Sequence, residues 1–525
     1  MGKRKASILA VAATMAFGSL LAACSSNSAQ PEGEKKATET KSAEVKGPTA
    51  FSMVMEGRGK YLETITDINN DKFVKKLAEL TNTAPKIELI LQKDYEQKLI
   101  LKFSSGDIPD VVMSSGGGSS IYGKELAGAV QSNVFMPLDD LLKEYGQNLL
   151  KKIPAAAWDR VKYKGQIVAI PEFVSIPNTL STYIRKDYLD KAGLQPPKTV
   201  DEYLNMFRAF KKNGVEQPFL ALDKFNLSDQ FFGAYDVLPN QFELQGDQVV
   251  PKFFKVDAMM KALQTYKTLL DEGLMSKEFP TNNGNNLAQN VYSAKTGMYM
   301  LGAKDKLNIE KKLKAAIPDG SIIQTLAPTG PDGKGGSALG QSINRTYLIN
   351  KKVSKEKAIG IIKFFDWMLT DDADKYFTYG IEGDTYKTEN GKVNYKIAET
   401  PDEINVEEFR QKDLWFVKDN TFTKSLMLNP LGVPVIDFMK NTLTKEGRDS
   451  IVFDPQLDSL VKNPDLNGAF PPLLVGHMVK MIYGQEPISD WPKVIEEYKK
   501  KGGDVVIKEA TDRYNKKEGV YLPRQ

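Results

Sequence analysis

The chain of 525 residues contains a single cysteine and a single histidine, and this scarcity excludes several kinds of chemistry. With Cys24 alone, the chain cannot form an internal disulfide bond. With His477 alone, a two-histidine metal site cannot form, and a Ser-His-Asp triad elsewhere in the chain is excluded. His477 lies in the apolar stretch LLVGHMVK, which favours a histidine packed within a helix over a catalytic one.

The chain also lacks a one-sided charge, a phosphate-binding loop and, after residue 23, any apolar run long enough to span a membrane. Its net charge is +4 with both signs well mixed, and no basic stripe with interleaved aromatic residues predicts a nucleic-acid partner. The loop SSGGGSS at residues 114–120 is not followed by Gly-Lys-Ser/Thr. An apolar content of 41% and a charged content of 26% are typical of a folded globular protein.

The N-terminal residues have the layout of an export signal. Lys3, Arg4 and Lys5 precede an apolar stretch that ends in Leu-Ala-Ala-Cys, which resembles the lipobox of bacterial lipoproteins. We therefore predict a lipoprotein signal peptide at residues 1–23, and at residues 24–48 a lipidated Cys24 with a disordered tether that is poor in large apolar residues. The diacylglycerol on a lipidated cysteine supplies two acyl chains, which suffice for stable anchoring. We therefore expect the protein to be anchored at the extracellular face of the cell membrane.

The pattern after residue 49 predicts an α/β fold. Apolar runs at 51–55, 86–91 and 109–113 indicate buried strands, and the two intervening segments have helical spacing. Strand–helix–strand–helix–strand order implies parallel pairing. Ligands of such sheets bind beyond the carboxyl ends of the strands, so the loop at 114–120 is either a ligand-lining loop or a flexible turn.

Local signals predict several later elements. Lys164-Gly165 marks a hairpin turn, and Thr199 with Glu202 forms a capping box. We also expect one amphipathic helix over residues 138–152 and a helix capped by Asp257.

Several segments resemble the family 1 extracellular solute-binding proteins, the maltose-binding-protein class. SSGDIPDVV at residues 104–112 is similar to the first-lobe strand of that family. The later segments YKGQIVAIP, STYIRKDYLDKAGLQPPKTVDEYLNMFRAFK, AKTGMYM and DWPKVIEEYKKKGGDVV are similar to the long lipoprotein branch of Bacillus and Paenibacillus. The resemblance implies an α/β, two-lobed periplasmic-binding-protein-like fold of type II with the ligand cleft between the lobes.

The resemblance also implies a division of the chain. Residues 49–172 and 335–378 would form lobe 1, residues 178–330 and 386–490 would form lobe 2, and residues 491–525 would be a tail packed on the lobes. The chain would cross between lobes near residues 170–178, 335–348 and 379–386.

The function that the resemblance implies is capture of a solute, most simply a sugar or oligosaccharide, by hinge closure and its delivery to the permease subunits of an ABC importer. We expect a monomer without cofactor or catalysis. Two alternatives stay open. The first is a lipoprotein that binds a peptide or another non-sugar ligand, or that is associated with a sensor. The second is a secreted carbohydrate-active enzyme, which needs two carboxylates at a fixed separation.

The sequence departs from the family at two places. Many relatives carry an Asp/Asn-rich calcium loop where this chain reads KKNGVEQPF at residues 211–219, so we predict no metal there. Relatives that bind maltodextrins place an aromatic residue and an acid where this chain has Ser114 and Ser115, which argues against maltodextrin as the ligand.

Sugar sites combine aromatic faces with polar groups directed at hydroxyls, and residues of these types on strand ends or crossing segments are candidates for the site. The acids Glu172 and Glu382 are expected to accept hydroxyl hydrogen bonds, and Arg58 or Arg345 to donate them or to bind a uronate carboxylate. Tyr122, Phe173, Tyr386 and Trp415 are expected to stack on sugar rings. The full candidate set is Glu56, Arg58, Tyr61, Ser114, Ser115, Tyr122, Glu172, Phe173, Tyr183, Arg345, Glu382, Tyr386 and Trp415.

Overall fold

The computed structural model describes residues 47–115, 120–292 and 295–522. The signal peptide, Cys24 and the tether up to residue 46 lie outside the described residues, as does the centre of the loop at 114–120. Within the described ranges, no helix combines the length and the apolar character that a membrane span requires.

The strands are numbered in chain order. They are β1 (Thr49–Gly57), β2 (Thr83–Leu91), β3 (Val111–Ser114), β4 (Lys162–Tyr163), β5 (Gln166–Ile167), β6 (Ile170–Phe173), β7 (Leu180–Arg185), β8 (Gln217–Phe219), β9 (Phe242–Gln245), β10 (Gln248–Pro251), β11 (Thr296–Gly302), β12 (Ile322–Thr325), β13 (Ile343–Ile349), β14 (Tyr386–Glu389), β15 (Lys392–Tyr395), β16 (Val452–Phe453) and β17 (Val520–Tyr521).

The α-helices are numbered in the same way. They are α1 (Lys60–Thr64), α2 (Lys72–Thr81), α3 (Gln92–Ser105), α4 (Asp139–Tyr145), α5 (Gln147–Lys152), α6 (Ala155–Asp159), α7 (Lys186–Ala192), α8 (Val200–Lys212), α9 (Gln230–Ala234), α10 (Val256–Asp271), α11 (Gly284–Tyr292), α12 (Lys306–Ala316), α13 (Lys355–Trp367), α14 (Asp371–Tyr379), α15 (Pro401–Glu408), α16 (Lys424–Leu428), α17 (Val433–Asn441), α18 (Asp458–Val461), α19 (Pro472–Ile482), α20 (Trp491–Tyr498) and α21 (Asp504–Lys516).

Lobe 1 is built on a sheet whose described strands follow the order β2-β1-β3-β13-β6. The predicted parallel pairing is confirmed: β1 pairs in parallel with β2 and with β3, and β13 runs antiparallel to β3 and β6. Asp71 caps α2 by accepting hydrogen bonds from the next turn, and Gly106 ends α3 with a φ of 78°. A core around Met53, Val112 and Phe365 joins this sheet to its helices.

Lobe 2 is built on a smaller sheet, with described strands in the order β12-β7-β11-β8. The predicted capping box is present at the start of α8: Glu202 N–H donates to Thr199 Oγ1, and Thr199 N–H donates to a carboxylate oxygen of Glu202. A core rich in aromatic residues, with Phe219, Tyr266 and Trp491 among its members, packs α10, α19 and α20 against this sheet.

In the described chain, three neighbouring segments connect the lobes. The middle segment follows β6: Val174 N–H donates to Ser342 O at 2.9 Å on one side, and Phe173 N–H donates to Lys418 O at 3.1 Å on the other. Residues 173–178, 338–343 and 417–421 therefore lie side by side and form the hinge region.

The third crossing differs from the prediction, which placed it near residues 379–386. Those residues stay on lobe 1, where Asp384 pairs with Lys72, and the chain adds the hairpin β14-β15 and helix α15 before it crosses at 417–421. Phe409 and Leu414 pack in the lobe 1 core, so residues 386–417 belong to lobe 1 and not to lobe 2. The apolar side chains of 409–417 fill lobe 1, and this packing holds the extension there.

The C-terminal segment, predicted as a tail packed on the lobes, contributes helices to the lobe 2 core. Trp491 and Tyr498 of α20 and Val506 of α21 are buried in the lobe 2 core. Trp491 also donates its indole N–H to Phe253 O at 2.9 Å.

Three local expectations need correction. The amphipathic stretch at 138–152 forms two helices because Gly146, with ψ at 44°, interrupts the first. Asp257 does not cap α10, which begins at Val256, and lies instead in its first turn. His477 is on α19 as expected, but its imidazole is partly exposed between the carboxylates of Glu486 and Glu497, at 2.7 and 3.2 Å.

Candidate binding site between the lobes

A cavity of about 800 Å³ lies where the two lobes meet beside the hinge. One wall comes from lobe 1 and includes the end of β1, the paired ends of β6 and β13, and the segments around residues 368–374 and 408–415. The other wall comes from lobe 2 and includes Lys304, Phe422, Met427, Lys440 and Thr444. A cavity of this volume between two lobes is of the size that small-molecule sites have.

The floor of the cavity is a buried network of charges. Glu172 at the end of β6 contacts Lys418 Nζ and accepts a hydrogen bond from Asn344 Nδ2 at 2.7 Å. Arg345 lies with its Nε 3.8 Å from Glu172 and its Nη2 3.4 Å from Asp413. Each of these side chains is held by others of the network, so the floor is preorganised before a ligand arrives.

Burial shifts the pKa of two members of this network. Burial lowers the pKa of Lys418, and the negative charge of Glu172 opposes that effect. Burial raises the pKa of Asp413, and the neighbouring Arg345 opposes it. Both pKa shifts arise because burial removes water from a charged group and so destabilises its charged form. The opposite charges nearby offset part of that destabilisation.

A π-helical turn, Phe409–Asp413, brings the lobe 1 residues to the cavity. Leu414 N–H donates to Phe409 O at 2.9 Å, and the wider turn points Gln411, Lys412 and Asp413 at the cavity. Arg410 turns the other way and donates to Phe377 O and Thr378 O. The sequence FRQKD thus divides its charges between the cavity and the lobe 1 interior.

Five of the thirteen predicted site residues line this cavity: Arg58, Glu172, Phe173, Arg345 and Trp415. Arg58, after β1, donates to Glu56 Oε2 at 2.8 Å and to Ser115 O at 3.1 Å. Phe173 and Trp415 are each only 6% exposed and form part of the lobe 1 core.

Trp415 has little free surface for stacking. One ring face stacks on Phe377 at 4.9 Å, Lys424 Nζ lies 5.2 Å from its ring centre, and its indole N–H donates to Met368 O. The expectation that Trp415 stacks on a sugar ring is therefore at odds with its packing.

Three predicted residues lie directly behind the wall. Glu56 is buried and holds Arg58 and the Ser115 hydroxyl. Ser114 donates its hydroxyl hydrogen to Glu125 Oε1 at 2.7 Å. These three residues position the strand ends without facing the cavity.

The remaining predicted residues lie elsewhere. Tyr61 donates to Asp71 at 2.8 Å, and burial with that carboxylate raises its pKa to about 12. Tyr183 is fully buried against Tyr299 in lobe 2. Tyr183 lies on β7 opposite Tyr299 of β11, and this strand pairing places its side chain within lobe 2 and not in the cleft.

Tyr122 is half-buried near Asp454, and burial raises its pKa to about 12. Glu382 and Tyr386 belong to the hairpin region on lobe 1, where Glu382 is exposed beside Lys375 at 3.7 Å. Glu382 and Tyr386 lie away from the cavity because residues 379–386 do not reach the hinge. Residues 417–421 form the third crossing instead.

Sequence reasoning missed most of the charged residues that line the cavity. Lys412, Asp413, Lys418 and Lys424 come from one short stretch, of which only Trp415 was a candidate. The signal was present, since Asp413 and Lys418 flank the apolar run LWFV. Charged residues at both ends of a buried run indicate a buried ion network.

The structure shows no group of three or more His, Cys, Asp or Glu side chains placed to hold a metal ion within the described ranges. Residues 211–219, where many relatives carry a calcium loop, comprise the end of α8, the turn after it and all of β8.

Comparisons with known proteins agree with this architecture. A family model described as bacterial extracellular solute-binding protein matches residues 67–375, more than half of the chain. The chain is 24% identical over 520 residues to the polygalacturonan/rhamnogalacturonan-binding protein YtcQ of Bacillus subtilis, covering 97% of this chain and 98% of that protein. It is 21% identical over 468 residues to lipoprotein LipO of the same organism, covering 84% and 88%.

Among solved structures, an HMO-binding, ABC-transporter-associated solute-binding protein of Bifidobacterium longum infantis aligns with a TM-score of 0.64 at 16% identity. The alignment covers 89% of this chain and 99% of that protein. It confirms the predicted α/β fold with two lobes.

Proposed function

The chain belongs to the family of bacterial extracellular solute-binding proteins, and from this premise we propose that its interlobe cavity binds an oligosaccharide for delivery to an ABC importer. The observation that carries the proposal is the cavity of about 800 Å³, which has walls from both lobes and lies against the hinge. YtcQ, which is similar over almost the whole chain, is by its name a polysaccharide-binding protein.

The geometry supports capture by hinge closure. A ligand that touches both walls has more contacts in a closed arrangement than in an open one, and this difference in affinity shifts the population toward the closed form. The three crossing segments are short and adjacent, so small backbone rotations there can move one lobe against the other.

We propose that the chain binds its ligand without chemical turnover. Its family and its relatives are binding proteins. The buried carboxylates of the cavity, Glu172 and Asp413, each contact a cation, which leaves them poorly suited to act as the paired acid and nucleophile of a glycoside hydrolase.

The proposal places the protein at the extracellular face of the cell membrane, as a monomer anchored through lipidated Cys24. The lipobox-like sequence and the similarity to lipoprotein LipO support this placement. Metabolic labelling with a clickable fatty acid should mark the wild-type chain and leave a Cys24→Ser variant unlabelled. Equal labelling of the two chains would contradict anchoring through Cys24.

A thermal-shift screen of the full chain, extracted in mild detergent, tests the function. Mono- and oligosaccharides and a peptide mixture are the probes, and any saccharide that stabilises the chain is analysed by mass spectrometry afterwards. A ligand at about 100 times its Kd stabilises the fold by about 2.7 kcal/mol. We expect an oligosaccharide to stabilise the chain and to remain intact. Stabilisation by peptides alone, or conversion of the saccharide to products, would overturn the proposal.

A further inference from the structure

The cations that line the cavity differ in how fully their charge is compensated. Eight lining side chains are cations and six are carboxylates. Arg58, Arg345, Lys412, Lys418 and Lys424 each form an ion pair with a carboxylate. The described residues show no such ion pair for the other three, Lys152, Lys304 and Lys440.

These three lysines have different surroundings. Lys152, on lobe 1, donates to Leu369 O at 2.6 Å. Lys304 follows β11 of lobe 2 and is exposed at the cavity. Lys440, on α17, is also exposed, with its Nζ 5.3 Å from the ring centre of Phe422. The charged side chains described on the lobe 2 wall are Lys304, Lys424 and Lys440, and all three are positive.

Lys304 also faces a like charge from the other lobe. Lys412, on the π-helical turn of lobe 1, lines the same cavity. The cavity walls limit the hydration of Lys304 even though its side chain faces open space, and this lowers its pKa. The positive charge of Lys412 adds to the effect, and the negative charges of Asp305 and Glu172 partly oppose it. As the lobes approach each other, the repulsion between these ammonium groups opposes closure.

An anion between the walls removes that opposition. A carboxylate on the ligand attracts ammonium groups from both lobes, so it gains more in the closed form than a neutral group does. Resting on the proposed function, we propose that the cavity selects oligosaccharides that carry carboxylates, and that Lys304 and Lys440 bind the carboxylate groups.

The two arginines that the sequence suggested for a uronate are occupied. Arg345 is 5% exposed and contacts Asp413, and Arg58 donates twice to Glu56. Lys304 and Lys440 of lobe 2 are positions at which a ligand carboxylate gains a partner without breaking a described ion pair or a hydrogen bond such as that of Lys152.

The test compares ligands that differ in charge alone. Oligogalacturonates of two to four sugars and their fully methyl-esterified forms present the same rings and hydroxyls, and only the free acids carry carboxylates. Calorimetric titration of the full chain in mild detergent should show tighter binding of the acid than of the ester. The affinity for the acid should fall as salt is raised, because exposed charges are screened.

Variants then assign the preference to residues. Lys304→Gln and Lys440→Gln should each weaken binding of the acid by roughly 10- to 30-fold and change binding of the ester by less than about twofold. Lys306→Gln is the matched control, since Lys306 follows Lys304 on lobe 2, pairs with Glu310 and does not line the cavity. It should bind both ligands as the wild type does.

Each outcome bears on a distinct claim. A chain that binds an ester or a neutral oligosaccharide as tightly as the acid, with Lys304→Gln unchanged, overturns the charge selection and leaves the proposed function standing. A chain that binds no oligosaccharide of either charge, in this series or in the wider screen, overturns the proposed function and the selection with it. An acid preference that survives both substitutions overturns the assignment to Lys304 and Lys440.

Discussion

Both lobes bury carboxylates near the hinge, and the neighbours of these carboxylates differ. In lobe 1, Glu172 lies between Lys418 and Arg345 on the floor of the cavity. In lobe 2, Glu446 accepts a hydrogen bond from Ala327 N–H at 2.8 Å, and Asp229 accepts one from the Ser337 hydroxyl at 2.7 Å. Glu172 is thus held by cations, whereas these hydrogen bonds to Glu446 and Asp229 come from neutral donors.

The difference appears in the pKa values of the lobe 2 acids. Burial, with the negative charge of Asp229 adding to it, raises the pKa of Glu446 to about 7. Burial raises the pKa of Asp229 to about 6. Burial disfavours the charged carboxylate much more than the neutral carboxylic acid. These two acids therefore take up a proton at a higher pH than exposed acids do. Burial alone therefore does not decide whether an acid keeps its charge.

Another buried acid lies between the two lobes. Asp454 of lobe 2 receives Arg160 Nη2 at 2.7 Å and the Ser120 hydroxyl at 2.9 Å, both from lobe 1. Burial raises the pKa of Asp454, and the positive charge of Arg160 opposes the shift. This contact joins the lobes directly, whereas the Glu172 network lies within lobe 1 and the crossing segment.

Removing the charge of Glu172 should give the largest effect on stability. Glu172→Gln leaves Arg345 and Lys418 buried with less compensation, and losing one partner of a buried ion pair costs about 3–5 kcal/mol. Denaturant unfolding of wild type and variant measures the loss of unfolding free energy. The control is Glu272→Gln, which removes an exposed pair with Arg208 and should cost less than about 1 kcal/mol. Equal losses in the two variants would contradict the special role of the lobe 1 network.

Glu446 of lobe 2 should make the stability depend on pH. The folded-state pKa of Glu446, about 7, lies above its unfolded value of about 4.3, so the folded state binds more protons between these values. Its stabilising contribution is complete below the unfolded pKa and is lost as the pH rises through about 7. From about pH 5 to about pH 8, the unfolding free energy should fall by about 2–3 kcal/mol through this group.

Glu446→Gln isolates that contribution, because an amide does not titrate. Unfolding free energies of the variant at several pH values should vary less over this range than those of the wild type. A wild-type protein that becomes more stable as the pH rises from about 5 to about 8, with the variant unchanged, would contradict the raised pKa.

Weakening the contact between the lobes should have a smaller effect. In Asp454→Asn the single carboxamide oxygen can still accept from Arg160, while the amide NH2 faces the Ser120 hydroxyl, which must turn to accept from it. The charge is lost, and a hydrogen bond to a charged group is worth about 1.5–3 kcal/mol. We expect a loss near the lower end, about 1.5 kcal/mol, together with faster hydrogen exchange around Tyr521, whose ring lies 4.3 Å from the Arg160 guanidinium. Exchange that increases throughout lobe 2 instead would indicate general destabilisation.

Much of the fold could be predicted from local patterns. The parallel pairing of β1, β2 and β3 follows from alternating strands and helices, and the capping box at Thr199 follows from side-chain chemistry within one turn. The resemblance to a known family supplied the two lobes. The sequence predicts Arg58, Glu172 and Phe173 as cavity residues because they lie at or just after the ends of strands that reach the lobe boundary.

The rest of the site could not be found this way. The third crossing lies at residues 417–421 because the hairpin β14-β15 and the apolar run after Asp413 pack on lobe 1, and neither contact is local in sequence. Tyr386 and Glu382 were therefore placed at the hinge, while Lys412 and Lys418 were overlooked.

The sequence by itself determined the elements whose stabilising contacts lie within a few residues: strands with buried runs, helices with capping side chains, and the absence of disulfide and two-histidine metal chemistry. The tertiary structure alone decided which charges meet. Whether a lysine such as Lys418 is buried against a carboxylate, or like Lys304 faces an open cavity without one, depends on chain segments far apart in sequence. Electrostatic energy depends on distance and on access to water, and both are properties of the folded chain.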